Sequence, residues 1–150
     1  LRENCVNQGV DGVRVVQYDA ETSLPFADES FDVVVVDAPC SGTGTIRHNP
    51  EIRYTIAPAD FDELSSKQRR ILANASKSVK KGGRLIYSTC SLEIEENEAV
   101  ADDFLSRNAD YEKIRPSIPE RFLSDDSYAR IMPHLDRADG FFIAAFKKRD

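Results

Sequence analysis

The sequence predicts an α/β fold with a mostly parallel sheet, and three observations carry that expectation. Apolar runs of strand length alternate with stretches of helical periodicity along the whole chain. Two of the runs, FDVVVVDAPCSGTG (Phe31 to Gly44) and GGRLIYSTCS (Gly82 to Ser91), are apolar and then break into small polar residues around a cysteine. A buried parallel strand delivers side chains in this way to the carboxyl edge of an α/β sheet, where such folds place their ligands.

The elements follow in order. Leu1 to Gln8 reads as the end of a helix closed by Gly9, with Cys5 as a core residue on the face it shares with Leu1. Val13 to Tyr18 (VRVVQY) reads as a strand ending at Asp19, and Phe31 to Val36 as the most buried strand. Asp60 is expected to begin a helix, with Glu63 three residues on as in a capping box. Phe61, Leu64, Gln68, Ile71, Leu72, Ala75 and Val79 follow at helical spacing, and Gly82 and Gly83 close the helix. Arg84 to Ser88 is the next strand and Glu93 to Arg107 the next helix. A short strand near Tyr111 to Ile114 and a stronger one at Phe141 to Phe146 complete the pattern.

Composition narrows the class. With 150 residues, 41% of them hydrophobic, the chain suffices for one domain with a real core, so residues 1–150 are expected to form one folding unit. No apolar run approaches membrane-spanning length and the start lacks a signal-peptide layout, so the expected setting is the cytoplasm, away from membranes. Three cysteines and two distant histidines (His48, His134) make neither a disulfide framework nor a metal motif.

A net charge of −6 opposes whole-surface attraction to nucleic acid, yet the charge is uneven. Lys67, Arg69, Arg70, Lys77, Lys80, Lys81 and Arg84 fall in an acid-free stretch, whereas six acids crowd Glu93 to Asp103. The basic stretch is a local binding face or, more simply, a solvated helix with cations near its carboxyl end.

A doubly wound nucleotide-binding sheet usually opens with a strand and a glycine-rich turn, and nothing before Asp19 supplies one. Gly42-Thr43-Gly44 is no substitute, because no third glycine follows at the needed spacing.

DAPCSGTG followed by IRHNPEIRY, then QRRIL (Gln68 to Leu72), GGRLIYSTCSLEIEENE and PHLDRADGFFIAAF together resemble the catalytic domain of the Sun/nucleolar-protein family of RNA cytosine-5 methyltransferases, from about Leu1 to Lys148. The resemblance implies S-adenosylmethionine as cofactor, an RNA substrate (rRNA or tRNA) and a Rossmann-like class I methyltransferase sheet with an antiparallel carboxyl-terminal strand. In that frame the chain is the carboxyl-terminal portion of the catalytic domain. The family's cofactor-binding glycine turn and ribose-binding acid have no counterpart here.

The chemistry asks for what these motifs hold. Carbon 5 of cytosine is a poor nucleophile until a thiolate adds to carbon 6 and makes it enamine-like. By resemblance Cys90, in Thr-Cys-Ser, is that nucleophile, and its expected place just before a helix starting near Glu93 would favour the thiolate. Cys40 is similar to the cysteine linked to release of the enzyme from the methylated product. Pro-Cys is also the nucleophile dipeptide of DNA cytosine-5 methyltransferases, so the reverse assignment stays open. Asp37 is placed to hydrogen-bond the base. Asp19 stands where the family's adenine-contacting acid lies, and Asp37 and Pro39 line the same cofactor edge.

Two competing readings remain at this level. An amino-group methyltransferase would carry a Pro-Pro-aromatic triplet where this chain has Ala38-Pro39-Cys40. A non-catalytic domain that binds RNA or a partner is the other. Parallel pairing of Phe31 to Val36 with Arg84 to Ser88 predicts the two thiols in one pocket and not disulfide-bonded, their sulfurs within about 10 Å. Val13 to Tyr18 is expected either to pair directly with Phe31 to Val36 in a shortened sheet or to leave an open edge that a second copy covers.

Overall fold

The computed structural model describes residues 2–150. Five strands, β1 (Phe31–Asp37), β2 (Val79–Thr89), β3 (Tyr111–Ile114), β4 (Ala129–Ile131) and β5 (Phe141–Lys148), form one sheet in the order β1-β2-β5-β3, with β4 also paired to β5. β1 and β2 are parallel, with Val34 opposite Leu85, Val36 opposite Tyr87 and Asp37 opposite Ser88. β5 is antiparallel to β2, β3 and β4. Four strands therefore point one way and the carboxyl-terminal strand alone runs against them, which is the arrangement expected from the sequence.

Five helices accompany the sheet: α1 (Arg2–Asn7), α2 (Ile52–Thr55), α3 (Pro58–Lys77), α4 (Glu98–Arg107) and α5 (Pro133–Asp136). Helices α3 and α4 pack on each other and on the sheet. Leu72, Val79, Leu85, Tyr87, Val100 and Phe146 are fully or almost fully buried between them. Phe104 of α4 packs edge-on to Tyr111 and tilted on Phe146, with ring centroids 5.1 and 5.0 Å apart. The buried tyrosines satisfy their hydroxyls: Tyr111 donates to the Ser76 carbonyl at 2.7 Å and Tyr87 to that of Glu96 at 2.6 Å.

Several elements differ from the sequence expectation. Val13 to Tyr18 is not a strand; it makes no ladder and its side chains are largely exposed. Neither direct pairing with β1 nor a shortened sheet is formed, and the β1 edge away from β2 has no partner among the described residues. An apolar alternation signals a strand only when a neighbour accepts its backbone groups, and here none does. β1 is likewise not the most buried strand. Val34 and Val36 face α3, but Phe31, Val33 and Val35 stand on the other side, Val35 being 64% exposed. Cys5 is not a core residue, since α1 buries no side chain.

Helix α3 begins at Pro58, two residues earlier than expected, with Pro at a first-turn position where its missing N–H costs nothing. Asp60 acts three residues inside the cap: its carboxylate accepts the Ala57 N–H at 2.7 Å. The helix ends at Lys77, not at the glycines, and Ser78 closes it by donating its hydroxyl to the Ala75 carbonyl at 2.7 Å. Gly82 and Gly83 instead lie inside β2, in a bulge where the register jumps between Phe31↔Val79 and Val33↔Arg84. Gly82 has φ +70°, and a Cβ on Gly83 would stand 2.8 Å from the Lys80 carbonyl. Helix α4 starts at Glu98 rather than Glu93, after a turn over residues 94–97.

Candidate active site

The parallel register of β1 and β2 builds the site. Asp37 and Ser88 are the last paired residues, joined by a Ser88 hydroxyl donated to Asp37 Oδ1 at 3.1 Å and by the Ala38 N–H donated to the Ser88 carbonyl at 2.9 Å. The two chains then leave the sheet side by side, each ending in Cys-Ser. Cys40 Sγ lies 3.3 Å from Cys90 Sγ, and Ser41 Oγ lies 3.2 Å from Ser91 Oγ. Both thiols are free and half-buried.

The turns beyond the serines hold this pairing. Gly42 takes φ +73°, a left-handed conformation that costs a residue with a Cβ, and starts a short 3₁₀ turn over Thr43–Thr45. Gly44 then donates its N–H to the Cys90 carbonyl at 2.9 Å and accepts the Gly140 N–H at 2.8 Å. A Cβ on Gly44 would meet the Gly140 oxygen at 2.5 Å and the Cys90 oxygen at 2.7 Å, so the backbones of three loops touch here. Thr43 Oγ1 accepts the Leu92 N–H at 3.0 Å, tying the two loops again.

Beneath the thiols sits Glu96, fully buried. Its Oε1 accepts the Ser41 N–H and Gln68 Nε2, each at 2.9 Å, and its Oε2 accepts the hydroxyls of Ser91 at 2.6 Å and Ser41 at 2.5 Å. Gln68, on α3, also donates to the Pro39 carbonyl at 2.9 Å. Asn97 braces the second loop by donating Nδ2 to the Ser91 carbonyl at 2.9 Å and accepting the Thr89 hydroxyl at 2.5 Å.

The surroundings of Cys40 hold its thiol protonated. Burial pushes the Cys40 thiol up to about 12, and the hydrogen bond with Cys90 adds to the rise, while backbone N–H groups of Gly42 and Cys90 oppose it. Cys40 therefore holds its proton at neutral pH. The helix-dipole support expected for Cys90 is not built: α4 begins eight residues later, too far for a field that fades within one turn.

Of the sequence-derived residues, Cys40 and Cys90 come together, and Asp37 accepts the hydroxyl of Ser88, two residues before Cys90. Asp37 is exposed at the mouth, on the same face of β1 as Val35. Pro39 is exposed beside it and serves the site through its carbonyl. Asp19 does not meet the cysteines; it is exposed and accepts the Glu21 N–H at 3.0 Å in a local turn. A groove of about 400 Å³ runs from Ala20, Leu24 and Phe26 along β1 to Asp37. The basic stretch is largely spoken for: Lys67 and Arg70 pair with Glu21, Arg69 with Asp103 and Lys80 with Asp32. Glu96, Gln68 and Gly140 were not singled out from sequence. Glu96 lies in a run of acids with nothing to mark it as the buried one, and Gln68 read as part of a helix face and of the QRRIL motif, with no role of its own.

Residues 1–147 match the family model described as 16S rRNA methyltransferase RsmB/F. The chain belongs to this family. It is 40% identical over 129 residues to a Bacillus subtilis protein named as a probable ribosomal RNA small subunit methyltransferase B, covering 83% of this chain and 29% of that protein. It is 31% identical to ribosomal RNA small subunit methyltransferase F of Aliivibrio fischeri, covering 99% of this chain and 32% of the relative. The structure of NSun6 from Pyrococcus horikoshii with SFG superposes with a TM-score of 0.83 at 30% identity, over 99% of this chain and 38% of that one. The chain thus spans about a third of the length of these relatives, and its mixed α/β fold is part of a Rossmann-like methyltransferase domain.

Proposed function

We propose that the protein transfers a methyl group from S-adenosylmethionine to carbon 5 of a cytosine in RNA through a covalent adduct with Cys90. The observation that carries the reading is the 3.3 Å separation of the Cys40 and Cys90 sulfurs at the carboxyl ends of adjacent parallel strands. Relatives named as small-subunit rRNA methyltransferases support RNA as the substrate, and the SFG held by NSun6, an analogue of S-adenosylmethionine, supports the cofactor.

Asp19, Asp37 and Pro39 would hold the cofactor, and of these Asp37 lines the groove along β1. The fit rests on the groove along β1, whose apolar wall of Leu24, Phe26 and Val34 ends at the Asp37 carboxylate, the lining a nucleoside with polar edges requires. When bound, S-adenosylmethionine supplies an electrophilic methyl group. The protein's own residues prepare the acceptor. Cys90 gives its proton to water and adds its thiolate sulfur to carbon 6 of the base, and the electron pair displaced by that bond makes carbon 5 nucleophilic. Asp37, exposed at the mouth, accepts a hydrogen bond from the exocyclic amine and holds the ring over the sulfur. After carbon 5 has been methylated its proton is lost to water, the carbon 5–carbon 6 double bond re-forms, and the carbon–sulfur bond breaks to release Cys90. Cys40 keeps its proton and donates a hydrogen bond to the departing thiolate. The base must be unpaired or flipped out, because carbon 6 is unreachable within a stacked duplex.

Substitution of each cysteine in the full chain tests the division of labour. Cys90→Ala abolishes covalent capture of RNA containing 5-fluorocytidine, whereas Cys40→Ala lets a protein–RNA adduct accumulate on unmodified RNA. Reversal of the two phenotypes transfers the nucleophile role to Cys40 and rejects the assignment.

A further inference from the structure

The buried carboxylate of Glu96 is used by no step above, although it touches both cysteine-bearing loops. It receives four hydrogen bonds, all from neutral donors: two from Ser41, one from Ser91 and one from Gln68. A carboxylate offers about four lone-pair sites, so every one is filled. Burying such a group costs free energy unless its acceptors are satisfied, and hydrophobic residues would fill the space at lower cost. The fold keeps it where the two Cys-Ser turns must be held together.

The network is keyed in orientation. Gln68 spends its amide nitrogen on the Pro39 carbonyl and on Glu96 Oε1, so the amide cannot flip, and its Oε1 is left buried without a partner among the described residues. Glu96 Oε1 faces obligate donors, the Ser41 N–H and Gln68 Nε2, which cannot accept. Glu96 Oε2 faces two hydroxyls, which can either donate or accept. The Ser41 and Ser91 hydroxyls meet each other at 3.2 Å, and the neighbouring sulfurs meet at 3.3 Å.

We propose that Glu96 is a positioning residue that clamps Ser41 to Ser91 and thereby holds the Cys40 and Cys90 sulfurs in contact. The role rests on the cysteine chemistry proposed above, but the clamp itself is a statement about geometry. Glutamine at this position satisfies the same partners, with its oxygen toward the obligate donors and its nitrogen toward the hydroxyls. Alanine takes away the acceptor that these four hydrogen bonds share and frees the loops to separate.

Two measurements on the full chain separate the clamp from the methyl-transfer reading. Phenylarsine oxide bridges two thiols within reach of one arsenic, with loss of water, and mass analysis of the peptides holding Cys40 and Cys90 follows it without any turnover. Bridging in Glu96→Gln stays near the wild-type rate, and in Glu96→Ala it falls by roughly tenfold to a hundredfold, the scale on which an ångström of misplacement acts. Cooperative thermal unfolding is recorded beside it. If Glu96→Ala does not fold, the double variant Ser41→Ala, Ser91→Ala removes the clamped hydroxyls while leaving the carboxylate on its N–H donors, and bridging falls there too. Wild-type bridging rates in folded Glu96→Ala, or in the double variant, overturn the proposal, as does a Glu96→Gln protein that behaves like the alanine variant. Capture of 5-fluorocytidine RNA is the second readout: it falls in Glu96→Ala and is restored in Glu96→Gln. Loss of bridging with no RNA capture even in the wild type keeps the clamp and rejects the reaction.

Discussion

Cys40 and Cys90 are fifty residues apart in sequence, and their sulfurs are 3.3 Å apart in the fold. The proximity follows from a register: Asp37 pairs with Ser88, and Cys40 follows three residues after the one and Cys90 two residues after the other. A thiol in contact with a second sulfur, and pushed upward by burial, cannot titrate as an isolated group.

The first expected outcome is therefore a pH profile. Cys40 is raised from 9.0 to about 12 by burial and by its hydrogen bond with Cys90, so its alkylation by iodoacetamide is slow at pH 8 and keeps rising beyond pH 9. The sign for stability follows. Above pH 9 the unfolded chain loses the proton that the folded chain keeps, so the contribution of Cys40 is intact below pH 9 and is lost as pH rises toward 12. Cys40→Ala removes that part of the alkaline fall in urea stability; an unchanged slope contradicts the assignment.

Gly44→Ala tests the contact of the three loops. The added Cβ meets backbone oxygens of Gly140 and Cys90 at 2.5 and 2.7 Å, and neither is a flexible side-chain tip. Overpacking of this kind costs about 1–3 kcal/mol, read as a lower urea midpoint. Stability equal to that of the unsubstituted chain would show that the loops yield freely.

Phe104→Ala tests the core. The ring is 4% exposed and packs against Tyr111 and Phe146. Its truncation costs about 3–5 kcal/mol by denaturant titration, and a loss below about 1 kcal/mol places the helix α4 packing in error.

Hydrogen exchange separates the apolar segments. Amides of Val13 to Tyr18 have no ladder and exchange far faster than those of β2 from Arg84 to Ser88, which sit between β1 and β5. Equal protection would restore the strand that the sequence suggests at Val13 to Tyr18.

That contrast marks what the sequence could and could not reveal. Leu85, Tyr87, Phe142 and Phe146 belong to runs whose partners also lie in this chain, so pattern and pairing agree. Val13 to Tyr18 and the outer face of β1 carry the same apolar pattern without a partner among the described residues, and pattern alone cannot tell the two cases apart. The cysteines were legible because two strands of similar form ended in the same dipeptide. Glu96 was not, because burial of one acid among six is decided by the Ser41, Ser91 and Gln68 donors that arrive from three other segments. The glycines Gly82 and Gly83 read as a helix stop since a bulge and a cap ask for the same conformational freedom.

Peptide mapping of the trapped complex decides which cysteine attacks the base. The unsubstituted protein is incubated with S-adenosylmethionine and RNA carrying 5-fluorocytidine at the target, then digested with nuclease and protease. Cys90 as nucleophile requires the methylated, fluorinated nucleotide on the peptide holding Cys90, with Cys40 free. The nucleotide on Cys40, or no covalent complex at all, would contradict it.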